Sequence, residues 1–220
     1  MYTHTKDFLD KLTPLTAFEV LEEGNKRFVS NLKINRNLLQ QMNDTANGQY
    51  PFAAVLSCMD SRTSTELVFD QGLGDIFSIR IAGNVVNDDI VGSMEYACNV
   101  VGSKLIVVLG HSRCGAVKGA CDHVEMGNLT GLLEKIKPAI EKIDDHLPHP
   151  EFSMYHEKVA HANVLQSIEE ILERSSIIRS LYKEGKIGLV GGMYSVETGR
   201  VSFIKKMFAE PISEKASVAV

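Results

Sequence analysis

Apolar positions fall into two rhythms along the chain. In LTPLTAFEVLEEGNKRFVSNL, residues 12–32, Phe18, Leu21, Phe28, Val29 and Leu32 recur at helical spacing, and Thr16 with Glu19 reads as a capping box, so the segment predicts an amphipathic N-terminal helix. The polar, breaker-rich NRNLLQQMNDTANGQYP that follows, with Asn47-Gly48 marking a turn, predicts a loop into the core. The rhythm then changes. FAAVLSC (52–58), IFSIRIAG (76–83) and KLIVVLG (104–110) are short, mostly apolar runs bounded by Gly, Asp or Lys, with helical stretches such as DDIVGSMEYACNVVG between them. Such alternation predicts an α/β fold with a mainly parallel central β-sheet flanked by helices. Two further helices are expected around 129–143 and 157–172. KIGLVGGMYSVETGRVSFI then supplies another strand, a Thr198-Gly199 turn and an antiparallel edge strand ending near Ile204. The pattern divides one domain, 1–220, into an N-terminal helical arm and loop (1–50), an α/β core (51–204) and a tail (205–220) that is expected to fray after Pro211.

Composition narrows the function classes. The chain is 44% hydrophobic and 23% charged, ordinary for a globular protein that buries one core. Its net charge is −5 and its lysines and arginines are scattered, which excludes a basic face for nucleic acid. The longest apolar run, Leu105 to Leu109, is far short of the ~20 residues that span a membrane, so no membrane insertion is expected. MYTHTKDFLDKL has neither the basic region nor the apolar stretch of a secretory signal, and a cytoplasmic location is expected. Four cysteines at irregular spacings do not make a disulfide framework; they read better as ligands or nucleophiles.

Two of them sit where an α/β sheet does chemistry. Ligands bind at the carboxyl ends of strands, where neighbouring strands send their connections opposite ways. Cys58 closes the first predicted strand and His111 the third, with Cys114 expected one turn into the following helix. If those strands are neighbours, two sulfurs and one imidazole converge, a donor set that suits zinc with a fourth position left open. Cys121 lies seven residues past Cys114, a helical rise of about 10 Å, too far to share an ion. Cys98 shares a helical face with Met94, Ala97 and Val101 and reads as a small buried hydrophobe. Asp60 is a candidate for the fourth position or its surroundings. Taken alone, Cys58-x-Asp60-x-Arg62 could equally be a turn with a surface ion pair, and His111-x-x-Cys114 could be chance; together, at two strand ends, they make a stronger signal.

CMDSR (58–62) and GHSRCGAVKGA (110–120) resemble the β-class carbonic anhydrases, as do ELVFDQGLGDIFSIRIAGNVV, SMEYA, NVLQSI and GGMYSVETGRV, so that the resemblance spans about Gln49 to Ile204. It implies a zinc enzyme that interconverts carbon dioxide and bicarbonate, assembled as a homodimer or dimer-based tetramer. By the resemblance Cys58, His111 and Cys114 hold one zinc per subunit, the same three reached from the residues. Asp60 would accept a hydrogen bond from the hydroxide on zinc and aim it at carbon dioxide, and Arg62 would clamp Asp60 and keep it ionised. Because two thiolates cancel the charge of the ion, hydration is expected to quicken toward alkaline pH. The resemblance also makes Gln49 and the Gly115 N–H hydrogen-bond donors to substrate, and Phe77, Ala82 and Tyr96 an apolar lining partly contributed across the dimer interface. The family usually has a larger apolar residue at the position of Ala82; read alone, Phe77 and Tyr96 would be core residues. The chain has no tryptophan, and Val55 stands near the place where regulated members have one, which favours the plant-type, constitutively open subgroup. Proton export has candidates in His123, His146, His149, His156 and His161, none of them assigned.

Three other readings compete. In a non-catalytic zinc-stabilised module Asp60 would complete a closed site, but such an ion has no use for a clamp on its fourth ligand. A hydrolase of the same fold could act on a sulfur analogue such as carbon disulfide. A thiol phosphatase is disfavoured because Asp60, between Cys58 and Arg62, would repel phosphate.

Overall fold

The apolar runs become strands because the sheet they form is covered on both faces. The computed structural model describes residues 3–144 and 152–209. In it β1 (Ala53–Ser57), β2 (Ile76–Arg80), β3 (Leu105–His111), β4 (Gly188–Tyr194) and β5 (Val201–Phe208) form one sheet in the order β2-β1-β3-β4-β5. Every pairing is parallel except β4 with β5, the mainly parallel α/β sheet with an antiparallel edge that the pattern predicts. Side chains of β1 and β3 alternate between two cores: Val55, Leu105, Val107 and Leu109 serve one, Leu56, Ile106 and Val108 the other. The edge strand runs four residues past Ile204. Its continuation was hidden by Lys205 and Lys206, whose exposure is what an unpaired edge tolerates.

The arm covers one face with three helices where one was expected: α1 (Lys6–Lys11), α2 (Pro14–Val29) and α3 (Leu38–Thr45). The α2 cap is Thr13, not Thr16. Thr13 accepts from Thr16 N while Thr16 Oγ1 accepts from Thr13 N, and Pro14 occupies the first turn, where its missing N–H costs nothing. The polar stretch read as a loop contains α3 because Asn37 caps it through Gln40 N. Buried Ala17, Phe18 and Leu21 face the sheet. Gly24 lets α2 approach the turn after α4 (Thr65–Val68), since a Cβ there would stand 1.8 Å from Phe69 O. Next to it the buried Asn25 amide donates to Val68 O and Gly199 O and accepts from Val201 N, which ties the arm to both ends of the core.

The other face carries α5 (Asp88–Glu95), α6 (Gly115–Cys121), α7 (Gly127–Leu133), α8 (Lys137–Asp144), α9 (Phe152–Arg174) and α10 (Ser176–Lys183). The helix expected over 129–143 is broken at a 3₁₀ turn, Glu134–Ile136, just before Pro138, a residue tolerated only in a helix's first turn. After α5 the chain makes a π-helical turn, Tyr96–Val101, closed by Gly102 at φ 95°. His146 and His149, and the tail from 210 that includes the fraying expected after Pro211, lie outside the described residues.

Candidate metal centre

In the strand order, β1 sends its connection toward β2 and β3 sends its own toward β4, so the crevice between their carboxyl ends is the switch point of the sheet. Ser57 is paired with Leu109, which sets Cys58, the next residue, close to His111 at the end of β3. The β1 loop is held tightly. Buried Thr63 Oγ1 lies 3.1 Å from Cys58 O and 2.9 Å from Asp60 O, and Arg80 Nη2 donates to Asp60 O at 2.6 Å. Sequence reading missed both residues; their partners are backbone carbonyls, which leave no mark in a sequence.

The β3 loop brings the third ligand candidate in by a reversal. Ser112 N donates to Tyr194 O, Ser112 Oγ accepts from Val196 N, and Arg113 turns the chain in the left-handed region, φ 55°. Cys114 then stands at the N-cap of α6 and not one turn inside it, and its thiol points into the crevice instead of onto a helix face.

The ligand atoms of Cys58, His111 and Cys114 lie within 4.8 Å of one another, and all three residues are buried. Two sulfurs held tetrahedrally at ~2.3 Å from one zinc ion would be roughly 3.8 Å apart; here Sγ–Sγ is 3.9 Å. His111 Nδ1 is 2.9 Å from Ser112 O. A carbonyl only accepts, so Nδ1 carries the proton and Nε2 the lone pair, as a metal ligand requires. That Nε2 is buried and has no hydrogen-bond partner. An orphaned acceptor beside two thiols is the fit expected of a site for a soft or borderline dication. The electrostatics agree. The Cys114 thiol donates to Cys58, and together with the Gly83 N–H it holds Cys58 far below the usual thiol range, at about 4, against the opposing effect of burial. The same bond, with burial, pushes Cys114 up.

Asp60 stands outside the donor cluster. Arg62 Nε donates to its Oδ1 at 2.9 Å and Nη2 to its Oδ2 at 2.8 Å, and Arg62 N also reaches Oδ1 at 2.9 Å. Arg62, foremost through its side chain, holds the Asp60 carboxyl down at about 2. The other cysteines stay apart. Cys98 is buried in the apolar core, where desolvation pushes its thiol up to about 12, and Cys121 ends α6.

The expected substrate residues are distributed unevenly. Ala82 belongs to a 3₁₀ turn, Ala82–Asn84, whose Gly83 N donates to Cys58 Sγ at 3.3 Å, and Gly115 is exposed at the start of α6 with open space where a side chain would be. Phe77 and Tyr96 meet each other edge to face, with ring centroids 6.2 Å apart, on the open flank of β2. Tyr96 is 55% exposed and so is not a core residue. Gln49 is exposed ahead of β1, at the opposite end of a five-residue strand from Cys58, which separates the two by roughly 17 Å or more at about 3.3 Å per residue. The chain does not bring its own Gln49 to its own cluster. A cleft of about 590 Å³, bordered by Ser112, Arg113, Cys114, Lys118 and Glu157, opens beside Cys114. No helix among the described residues is long and apolar enough to cross a membrane.

Comparison with known proteins gives a consistent result. The model of a family described as carbonic anhydrase matches residues 53–201. Carbonic anhydrase 2 of Mycobacterium tuberculosis is 35% identical over 195 residues, covering 85% of this chain and 91% of that protein. The structure of the β-carbonic anhydrase CcaA is similar at TM-score 0.67 and 27% identity, covering 88% of this chain and 99% of that one. One of two tetrameric β-carbonic anhydrases from Sordaria macrospora shares the fold at TM-score 0.71 and 23% identity, covering 86% of this chain and 97% of that one.

Proposed function

The chain belongs to the β class of the carbonic anhydrase family, and on that premise we propose that it interconverts carbon dioxide and bicarbonate at the crevice between β1 and β3. The observation that carries the reading is the convergence of Cys58, His111 and Cys114, with their ligand atoms within 4.8 Å and the His111 acceptor unpartnered. These three residues would hold one zinc ion per subunit. When bound, zinc supplies Lewis acidity that turns water into a nucleophile.

The protein's own contribution is orientation. Asp60, kept ionised by Arg62, is an acceptor beside the cluster; it takes a hydrogen bond from the attacking oxygen and so turns a lone pair toward the carbon of carbon dioxide. Arg62 engages both carboxylate oxygens, which supports an open site in which Asp60 is an orienting group and not a ligand. It also speaks against a closed, purely structural ion. The Gly115 N–H, at the first turn of α6 where no helical carbonyl faces it, is a donor for a substrate oxygen. Gln49, Phe77 and Tyr96 complete the pocket when supplied by a second copy. The support for a homodimer is the open edge of β2 together with the exposed apolar groups of Leu67, Tyr96 and Val100.

Stopped-flow hydration of carbon dioxide by protein of known zinc content, repeated after chelation and after zinc is restored, tests the reading. Turnover that follows zinc occupancy supports it. Protein that carries one zinc per subunit and hydrates no carbon dioxide overturns it, and the same samples offered carbon disulfide separate the neighbouring activity.

A further inference from the structure

Outside its cluster partners, the Cys58 sulfur accepts a hydrogen bond from Gly83 N at 3.3 Å. Gly83 lies in the left-handed region, φ 68°, in the Ala82–Asn84 turn, packed so closely that a Cβ would come within 2.8 Å of Ile136 Cδ1. A short glycine turn does not hold one orientation unaided. Here it is held from α9. Asn163 Nδ2 donates to Gly83 O at 2.8 Å, and Ser167 Oγ, one helical turn on, lies 3.2 Å from Asn84 O and 2.8 Å from Asn163 O.

Both side chains are nearly inaccessible, at 1% and 3% exposure, on the buried side of α9 among Val159, Ala160, Val164, Ile168 and Ile171. A buried amide in such surroundings costs stability unless it is bonded, and apolar residues would pack α9 against the sheet equally well. What the amide does that an apolar residue could not is fix the peptide after Gly83, and with it the direction of the Gly83 N–H. We infer that Asn163, seconded by Ser167, is a positioning residue for Cys58: through the Gly83 peptide it aims a donor at the sulfur that would hold zinc. The inference rests on the zinc site proposed above. A hydrogen bond of this kind fixes a thiolate ligand's orientation and adjusts the electron density it gives the metal, and losing such an outer partner costs about 10–100-fold in metal affinity.

The test compares the full chain with Asn163→Leu, Ser167→Ala and, as a control, Ile171→Val, which loosens the same helix without touching the turn. Zinc affinity is read by competition with a chromophoric chelator, and the sulfur-to-metal charge-transfer band is read in the cobalt(II)-loaded proteins. Asn163→Leu is expected to weaken zinc binding about tenfold or more and to move the band to lower energy, because a sulfur without its donor gives electrons more readily. Ser167→Ala should move both in the same direction by less, and Ile171→Val should lower the melting temperature and move neither. Wild-type affinity and an unchanged band in Asn163→Leu would overturn the inference, as would an equal loss in Ile171→Val. If Asn163→Leu does not fold, Ser167→Ala decides by the same two readouts. A wild-type protein that takes up neither metal overturns the functional reading itself, a different result from variants that bind as well as wild type.

Discussion

Two aspartates in this chain are each gripped by arginine, and they differ in what the grip accomplishes. Asp60 and Arg62 are two residues apart on one loop, and Arg62 is 49% exposed. Asp70 is 2% exposed, and its partners come from a distance: Arg27 Nε at 2.6 Å from α2, Arg36 Nη1 at 2.5 Å and Ile34 N at 3.2 Å from the loop before α3. The first side-chain pair joins two residues of one loop, so it contributes little to folding, and under the proposed function its use is orientation at the crevice. The second fastens the arm to the core, and its carboxylate has no alternative solvation if a partner is removed. On the proposed function, similar chemistry serves reactivity in one place and attachment in the other, and burial with chain separation tells them apart.

The sharpest way to break this contrast is at Asp70. Asp70→Ala should cost about 3–5 kcal/mol of stability, since it leaves Arg27 and Arg36 facing each other without a counter-charge, while turnover per folded molecule stays at the wild-type value; urea unfolding and hydration assays on the same sample check both halves. The pH dependence refines it. Burial alone would raise the Asp70 carboxyl, but the hydrogen bonds from Arg27, Arg36 and Ile34 outweigh it and hold the group below the ordinary range. A carboxyl lowered on folding stabilises the fold fully above its unfolded value, about 3.9, and loses that contribution as pH falls through the lowered one. The stability gap between wild type and Asp70→Asn should then be full above about pH 4 and close on further acidification. Acid release of any bound metal is common to both proteins and cancels in the difference. A gap that persists to low pH would mean that the aspartate acts by shape and not by charge.

At Arg62 the expected pattern inverts. Arg62→Ala should keep one zinc per subunit and lower the melting temperature only slightly, yet lose turnover about 100-fold, the scale of a misplaced reacting group. Full turnover in a zinc-loaded Arg62→Ala would return the pair to the ordinary class of surface ion pairs.

How much of this could be read from residues alone follows from the same distinction. Cys58 and His111 were legible because each closes a predicted strand, and Cys114 because it follows His111 by three residues and its donor type is chemically distinctive; the unknown was whether β1 and β3 are neighbours, which the sheet order supplies. Asp60 with Arg62 was legible because the contact is local. Asp70 with Arg27 and Arg36 was not, since the partners are 43 and 34 residues away and lie beyond a helix, α3, that polar composition concealed. Asn163 was visible only as part of a family-like stretch, because its partner is a glycine carbonyl 80 residues distant. The capping error at Thr13 has a related cause: Thr13 and Thr16 present the same hydroxyl, and only backbone direction decides which one is the cap.

A third arginine–carboxylate pair sets the lower limit of the comparison. Arg113 and Glu197 are in direct contact beside the crevice, but their side chains are 69% and 59% exposed, so their attraction is screened and their ordering costs entropy. Arg113 also sits between two ligand candidates with its backbone at φ 55°, a conformation that costs a residue with a Cβ roughly 1–2 kcal/mol. Arg113→Gly removes the ion pair and that strain together, while adding about 0.5–1 kcal/mol of backbone entropy to the unfolded chain. The backbone terms nearly cancel, and the N–H that donates to Glu157 Oε1 is retained. The expected change is therefore within about 1 kcal/mol in urea unfolding, with unchanged zinc content and turnover. A large loss of activity in this variant would show that an exposed pair at the rim takes part in the reaction, and burial would then no longer separate the working arginine from the fastening one.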